Sequence, residues 1–158
     1  MWYNIDMIIK TKSGDSILVD DSDGHVLSRH SWHLIDRGRN KYAVAHIDGK
    51  RVRMHRLLVD AKPGEVIDHI NGNKLDNRRS NLRVCTASQN SCNRGKTVKN
   101  RSGFKGVVLN RGRYVVAIRL LGKAYSFCSY KTAEEAAHVY DQVAMQLHGE
   151  FAATNFSY

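Results

Sequence analysis

Turn chemistry cuts this chain into pieces too short for a large sheet or a bundle of long helices, and that partition most constrains its fold. One proline, Pro63, occurs in 158 residues, but Asn, Asp and Gly punctuate short apolar runs throughout. Met7–Ile9 and Ser16–Val19 flank Lys12-Ser13-Gly14-Asp15 and read as a hairpin. Lys41–Ile47 and Lys50–Met54 flank Asp48-Gly49, a pair suited to positive φ at both centres of a tight turn. Alternation puts Tyr42, Val44 and His46 on one face there, and Arg51 with Arg53 gives the partner strand a basic side. Met54–Asp60 predicts a short helix closed by Lys62-Pro63-Gly64.

The middle of the chain changes character. Glu65–His69 predicts a short strand, Asn71–Ser80 a polar loop and Leu82–Cys85 a return strand. Thr86-Ala87-Ser88-Gln89 has capping-box spacing, so a helix carrying Asn90 is expected from Thr86. Ser91–Ser102, with Arg94, Lys96, Lys99 and Arg101, reads as a basic linker. Phe104–Leu109, Tyr114–Leu120 and Ala124–Ser129 predict a three-strand meander turning at Asn110-Arg111-Gly112 and Leu121-Gly122-Lys123. A second capping box, Thr132-Ala133-Glu134-Glu135, opens a helix whose stripe is Ala136, Tyr140, Val143, Ala144 and Leu147, with Gly149 as the stop.

Charge narrows the partner. The net charge is +10 and the pI about 9.7, which favours a polyanion. From Asn77 to Ala133 there are thirteen Lys or Arg and no Asp or Glu, a block hard to explain unless phosphates lie against it. Arg78, Arg79 and Arg83 head that block and are expected on DNA. Arg111, Arg113 and Lys123 fit phosphate contacts that position without specifying. Cys85, Cys92 and Cys128 form no CxxC pair, so reduced thiols in a cytoplasmic protein are expected rather than a disulfide framework or a four-thiolate zinc site. No N-terminal basic-then-apolar segment and no apolar run of ~20 residues is present, so no membrane partner is expected.

Asp68-His69-Ile70-Asn71-Gly72-Asn73 supplies the chemistry. A phosphodiester resists attack because its oxygens repel a nucleophile and its leaving alkoxide is poor. A divalent cation relieves both. Asp68 offers a hard carboxylate and Asn90 a neutral carbonyl oxygen, both suited to Mg2+ or Mn2+. A neutral imidazole at His69 can deprotonate water near neutral pH. Strand neighbours point to opposite faces, so Asp68 and His69 serve one site only where the strand breaks, at Asn71-Gly72. Asn81, at the far lip of the loop, is placed to fix it by hydrogen bonds to backbone and to orient His69.

Asp68-His69-Ile70-Asn71-Gly72-Asn73, Leu75-Asp76-Asn77-Arg78, Asn81-Leu82-Arg83 and Gln89-Asn90 resemble the HNH endonuclease motif in its phage homing variant, and Met54-His55-Arg56-Leu57-Leu58 is similar to that family's upstream segment. The resemblance covers roughly Lys41 to Arg94. It implies a ββα-metal fold with His69 as general base, Asp68 as metal ligand and Asn81 as the loop-fixing middle residue. Asn90 stands where many members carry a last histidine, and it implies Mg2+ or Mn2+ rather than zinc. His55 matches the family's helix histidine, read as packing or phosphate contact.

Further on, Gly103-Phe104-Lys105-Gly106-Val107, Tyr114–Arg119, Thr132–Ala137, Tyr140-Asp141, and Gly149 with Asn155-Phe156 resemble the Apetala/ethylene-response-factor DNA-binding domain. That fold lays three strands, packed on one helix, in the major groove. Lys105 and Arg119 fall on positions that contact DNA there. Val108, Ala117, Ala124 and Ser126 replace longer readers, so docking is implied more than sequence readout.

The chain is thus read as α+β in four segments. Residues 1-60 form an N-terminal β-hairpin region, 61-94 the ββα-metal nuclease unit, 95-102 the basic linker, and 103-158 the three-stranded antiparallel sheet on one helix. The expected activity is metal-dependent hydrolysis of double-stranded DNA, by nicking or double-strand cleavage, from a phage homing enzyme acting as a monomer or weak dimer in the bacterial host cytoplasm. The alternatives are a non-catalytic DNA-binding transcriptional regulator and an RNA-binding basic protein.

Overall fold

The computed structural model describes residues 6–38, 40–97, 100–120 and 122–158. Lys99, in the expected linker, and Leu121, in the expected turn, lie outside them. Contacts divide the chain into two compact units, Met1–Thr86 and Ala87–Tyr158. Residues 61-94 contribute to both units. No helix among the described residues is long and apolar enough to cross a membrane.

The N-terminal unit is built from three small antiparallel sheets. Strand β1 (Asp6–Lys10) pairs with β2 (Ser16–Asp20). Thr11 holds the turn between them, accepting from Asp15 N at 3.1 Å through its hydroxyl. Helix α1 (Gly24–Leu27) follows a short 3-10 turn, and Trp32 donates from its indole to Leu27 O at 2.9 Å. Strand β3 (His33–Arg37) pairs with β4 (Asn40–Ile47), which pairs with β5 (Lys50–Arg53). Asp48 and Gly49 close the second hairpin, both at positive φ. Helix α2 (Met54–Leu58) is shorter than the expected span, because Val59 leaves helical geometry and Asp60 takes a positive φ.

Strand β6 (Val66–His69) pairs with β7 (Leu82–Cys85). Ile17, Val19, Leu27, Trp32, Met54 and Leu58 are buried with Ile67 and Leu82, so the core of this unit backs directly onto β6 and β7. Each large apolar side chain buried there contributes about 1.5–3 kcal/mol. The loop between β6 and β7 is sewn to β2. Leu18 N donates to Leu75 O at 2.9 Å, and Asn77 N donates to Leu18 O at 2.7 Å. Residues 75–77 therefore sit as a pseudo-strand beside β2, which sequence patterning did not indicate.

The C-terminal unit opens with α3 (Ala87–Cys92). Strands β8 (Val107–Asn110), β9 (Arg113–Leu120) and β10 (Lys123–Tyr130) form an antiparallel sheet with β9 central. A bulge at Cys128, itself at positive φ, shifts the β9–β10 register. Helix α4 (Ala133–His148) carries the expected capping box, with Thr132 and Glu135 bonded reciprocally. Its buried stripe is Ala136, Ala137, Tyr140 and Ala144, against Val107, Val116 and Ile118. Leu147, expected on that stripe, is exposed, and Asp141, not expected inside, is wholly buried. Its carboxylate accepts from Asn155 N at 2.8 Å, Asn155 Nδ2 at 2.9 Å and Phe156 N at 3.0 Å. Asn155 in turn accepts from Lys105 N and donates to Lys105 O.

Candidate active site

Asp68 and His69 close strand β6, and each is 1% exposed. Antiparallel register sets Asp68 opposite Arg83 and His69 opposite Leu82. Across that pair Arg83 donates from Nε at 3.1 Å and Nη2 at 2.9 Å to Asp68 Oδ2, a charge-assisted fork that fixes the carboxylate.

The imidazole of His69 meets a different set of groups. Its ring packs edge-on against His55 of α2, with centroids 5.1 Å apart. His55 packs in the same way against Tyr42 of β4. The Arg53 guanidinium lies over the Tyr42 ring. His69 Nε2 stands 3.3 Å from Asn77 Oδ1. A carbonyl oxygen only accepts, so Nε2 carries the hydrogen and the lone pair lies on Nδ1. Burial, and then the Lys74 charge, pull the His69 pKa down to about 4, against the Asn77 bond, which raises it. Burial and the neighbouring His69 hold His55 at about 3. Both rings are neutral at pH 7.

The loop beyond His69 is a web of carboxamides. Gly72 N donates to His69 O at 2.9 Å, and Gly72 has a φ of 76°, which a residue with a side chain rarely adopts. Asn81 reaches across it, accepting from Asn71 N at 2.9 Å and donating to Asn71 Oδ1 at 3.0 Å and Asp76 O at 2.8 Å. Asn71 and Asn73 cap the next backbone N–H groups in Asx turns. Asp76, buried, accepts from Asn71 Nδ2 at 2.7 Å and from a two-pronged Arg78 at 2.9 and 2.7 Å. The Arg78 hydrogen bond holds the Asp76 carboxyl below its ordinary range.

The basic residues expected on DNA fall into two groups. In the N-terminal unit each is engaged with carboxylates. Arg78 bonds Asp76 and Asp6, Arg79 grips Asp23 with its guanidinium while its N–H donates to Asp20, and Arg83 holds Asp68. In the C-terminal unit Arg111 heads the β8–β9 turn and is exposed, as are Arg119 on β9 and Lys123 at the start of β10. Arg113 donates to Ser129 Oγ and O. Lys105 turns inward. Its ammonium donates to Cys92 O and lies 5.9 Å from the Tyr140 ring centroid, and burial lowers its pKa.

Asn90 lies half-buried in α3, a member of the C-terminal unit, whereas Asp68, His69 and Asn81 belong to the N-terminal one. Among the described residues no three His, Cys, Asp or Glu side chains cluster as a metal site. A carboxylate and a carboxamide oxygen are hard donors of the kind Mg2+ takes; the Asp68 carboxylate is engaged by Arg83, and Asn90 belongs to the other unit. Sequence reasoning assigned no role to Asn77 and saw His55 only as packing or a phosphate contact. The Leu75-Asp76-Asn77-Arg78 run was the available signal for Asn77, but the hydrogen bond to His69 Nε2 is what shows that it faces His69.

A family model described as HNH endonuclease matches residues 53–92, from the last residue of β5 through α3. An uncharacterised HNH endonuclease of Acanthamoeba polyphaga mimivirus is 35% identical over 136 residues, covering 82% of this chain and 69% of its own. Protein 3.8 of Escherichia phage T7 is 35% identical over 110 residues, covering 65% of this chain and 90% of its own. No solved structure matches. With its buried neutral imidazole at the lip of a carboxamide-pinned loop, inside the matched segment, the chain belongs to the HNH endonuclease family and is a nuclease, a hydrolase.

Proposed function

We propose that the protein is a metal-dependent DNA endonuclease of the phage homing type, with His69 as its general base. The observation that carries this reading is the neutral His69 ring with Nε2 facing Asn77. It leaves the lone pair on Nδ1, which is buried, so the attacking water would have to enter the site and lie against that atom to lose its proton there. Asn77 stabilises the imidazolium that results, by accepting from Nε2–H. Asn81 keeps the loop beside the base from opening, so the ring does not swing away. Asp68, its carboxylate fixed by Arg83, and Asn90 are the residues that would hold the divalent ion. When bound, that ion supplies neutralisation of the phosphate and stabilisation of the leaving oxygen. One family model runs through both residues, which supports assigning them together.

The C-terminal unit is proposed to anchor double-stranded DNA, with Arg111, Arg113, Arg119 and Lys123 on phosphates. Three antiparallel strands on one capped helix support that reading, as the Apetala/ethylene-response-factor resemblance implies.

Nicking of a supercoiled plasmid tests the catalytic assignment. With Mg2+ or Mn2+ the wild type nicks, chelator stops it, and His69→Ala lowers the rate by about a hundredfold or more while duplex binding in chelator persists. Equal nicking by wild type and His69→Ala, or full activity in excess chelator, overturns the assignment. Binding without nicking under every metal would favour the non-catalytic regulator.

A further inference from the structure

The basic side of the β4–β5 hairpin has no role in the reading above. Leu34, Ala43 and Ala45 turn one face of the β3–β4–β5 sheet to the core, so strand alternation points the other away from it. Register sets Arg53 opposite Val44 and Arg51 opposite His46, which puts both guanidiniums on that second face with Tyr42. Val44 is buried in it and Tyr42 half-buried, while His33, His46, Arg51 and Arg53 are exposed. The His33 and His46 rings stack 5.7 Å apart and 10° from parallel. Alternation places no Asp or Glu of the three strands on this face. Unlike Arg78, Arg79 and Arg83, neither Arg51 nor Arg53 makes an ion pair among the described residues. A groove beside β5 is lined by Lys50, Arg51, Arg53 and Arg56, with Asp60 as its carboxylate. Arg56 donates to Ala61 O, Lys62 O and Glu65 O, so the cations left to meet an anion are those of β5.

That face leads to the base. The Arg53 guanidinium lies over Tyr42, Tyr42 packs on His55, and His55 packs on His69, in steps of 5.3, 5.8 and 5.1 Å. The guanidinium is therefore within about 16 Å of the His69 ring, a span of about five base pairs at roughly 3.4 Å each. Stacked on a ring, it keeps its N–H edges for a phosphate. Side chains two apart on a strand stand about 7 Å apart, so Arg51 and Arg53 can hold neighbouring phosphates of one backbone. An acidic peptide would also meet these cations, but continuity with His69 favours the nucleic acid. We propose that this face is a phosphate track that delivers the cleaved strand to His69, with Arg51 and Arg53 on phosphates close to the cut. It rests on the nuclease reading, and it assigns DNA contact to a surface outside the C-terminal sheet.

The test uses the full chain and a duplex whose nick has been mapped. Methylphosphonates, each removing one phosphate charge, are placed singly at the linkages on either side of the nick. With the wild type, KM should rise about tenfold at one or two linkages within about five base pairs of the cut, with kcat nearly unchanged. Arg51→Gln and Arg53→Gln should each raise KM about tenfold on the unmodified duplex. In each variant, one of those methylphosphonates should add no further loss, because the contact is already gone. Lys12→Gln removes the same charge at the exposed β1–β2 turn and should leave both KM and the interference pattern as in wild type. Anisotropy in excess chelator repeats the comparison without cleavage, where Arg51→Gln and Arg53→Gln should weaken the unmodified duplex and Lys12→Gln should not. Thermal melts check folding. Arg51, which has no side-chain bond among the described residues, carries the test alone if Arg53→Gln lowers the melting temperature. A metal-dependent nick with the same interference pattern in wild type and Arg51→Gln overturns the track and leaves the nuclease reading standing. Wild-type duplex affinity of Arg51→Gln in chelator overturns it whether or not the chain cuts.

Discussion

A histidine that must take a proton from water is useless while it already carries one. Under the proposed mechanism burial meets this need at His69, and the neighbouring His55 ring, neutral as well, adds no competing charge. The arrangement costs stability in acid. Unfolding returns both rings to about 6.5, whereas the folded values are about 4 and about 3. Between pH 6.5 and 4 the unfolded chain therefore binds more protons, and stability falls as pH falls. From pH 7 to pH 5 each ring should contribute a loss of about 2 kcal/mol, read from urea titrations at the two pH values. His55→Phe, which keeps an aromatic ring but not the titration, should reduce the difference by about half. Equal stability at both pH values would show that the rings are not buried neutral in solution.

Helix α4 and its sheet show which local features fix an element and which only tune it. Thr132 and Glu135 close the capping box at the surface, and Thr132→Ala should cost about 1 kcal/mol. Gly106, by contrast, lies with a φ of 70° under the Tyr140 ring, where an added Cβ would sit 1.9 Å from Cδ2. Backbone strain and overpacking coincide there, so Gly106→Ala should cost roughly 3 kcal/mol or more. Thermal melts of the two variants give that order, and similar melting temperatures would contradict it. Local chemistry made much of this legible. The Asp48-Gly49 turn, the Thr132 box and the three-strand meander could be read because each rests on residues adjacent in sequence. Strand β3 and the parallel seat of residues 75–77 on β2 could not, because partners distant in the chain decide them. Leu147 fits the helical period yet is exposed. At the site Asp68, His69 and Asn81 were visible as a motif. The pairing of His69 with Asn77 and His55 required the tertiary structure.

Formal charge overstates the field that DNA meets. Three of the thirteen basic residues between Asn77 and Ala133, Arg78, Arg79 and Arg83, are bound to carboxylates of their own unit. Exposed cations in the C-terminal unit remain to meet phosphate, Arg111, Arg119 and Lys123 among them. Duplex binding should still be governed by counterion release, and four phosphate contacts would lower affinity about a hundredfold between roughly 50 and 200 mM salt. Anisotropy in chelator measures it, and an affinity indifferent to salt would contradict a backbone-holding role. Arg119→Gln should flatten that slope. Arg79→Gln should instead lower the melting temperature, because it strands the buried Asp23. The Asp141 clamp carries a last consequence. Its donors come from beyond Thr154, so the final stretch of chain acts as a keystone. A protease that clipped ahead of Asn155 would maroon a carboxylate in an oily interior and release the main chain at Lys105, dismantling the sheet from its first strand.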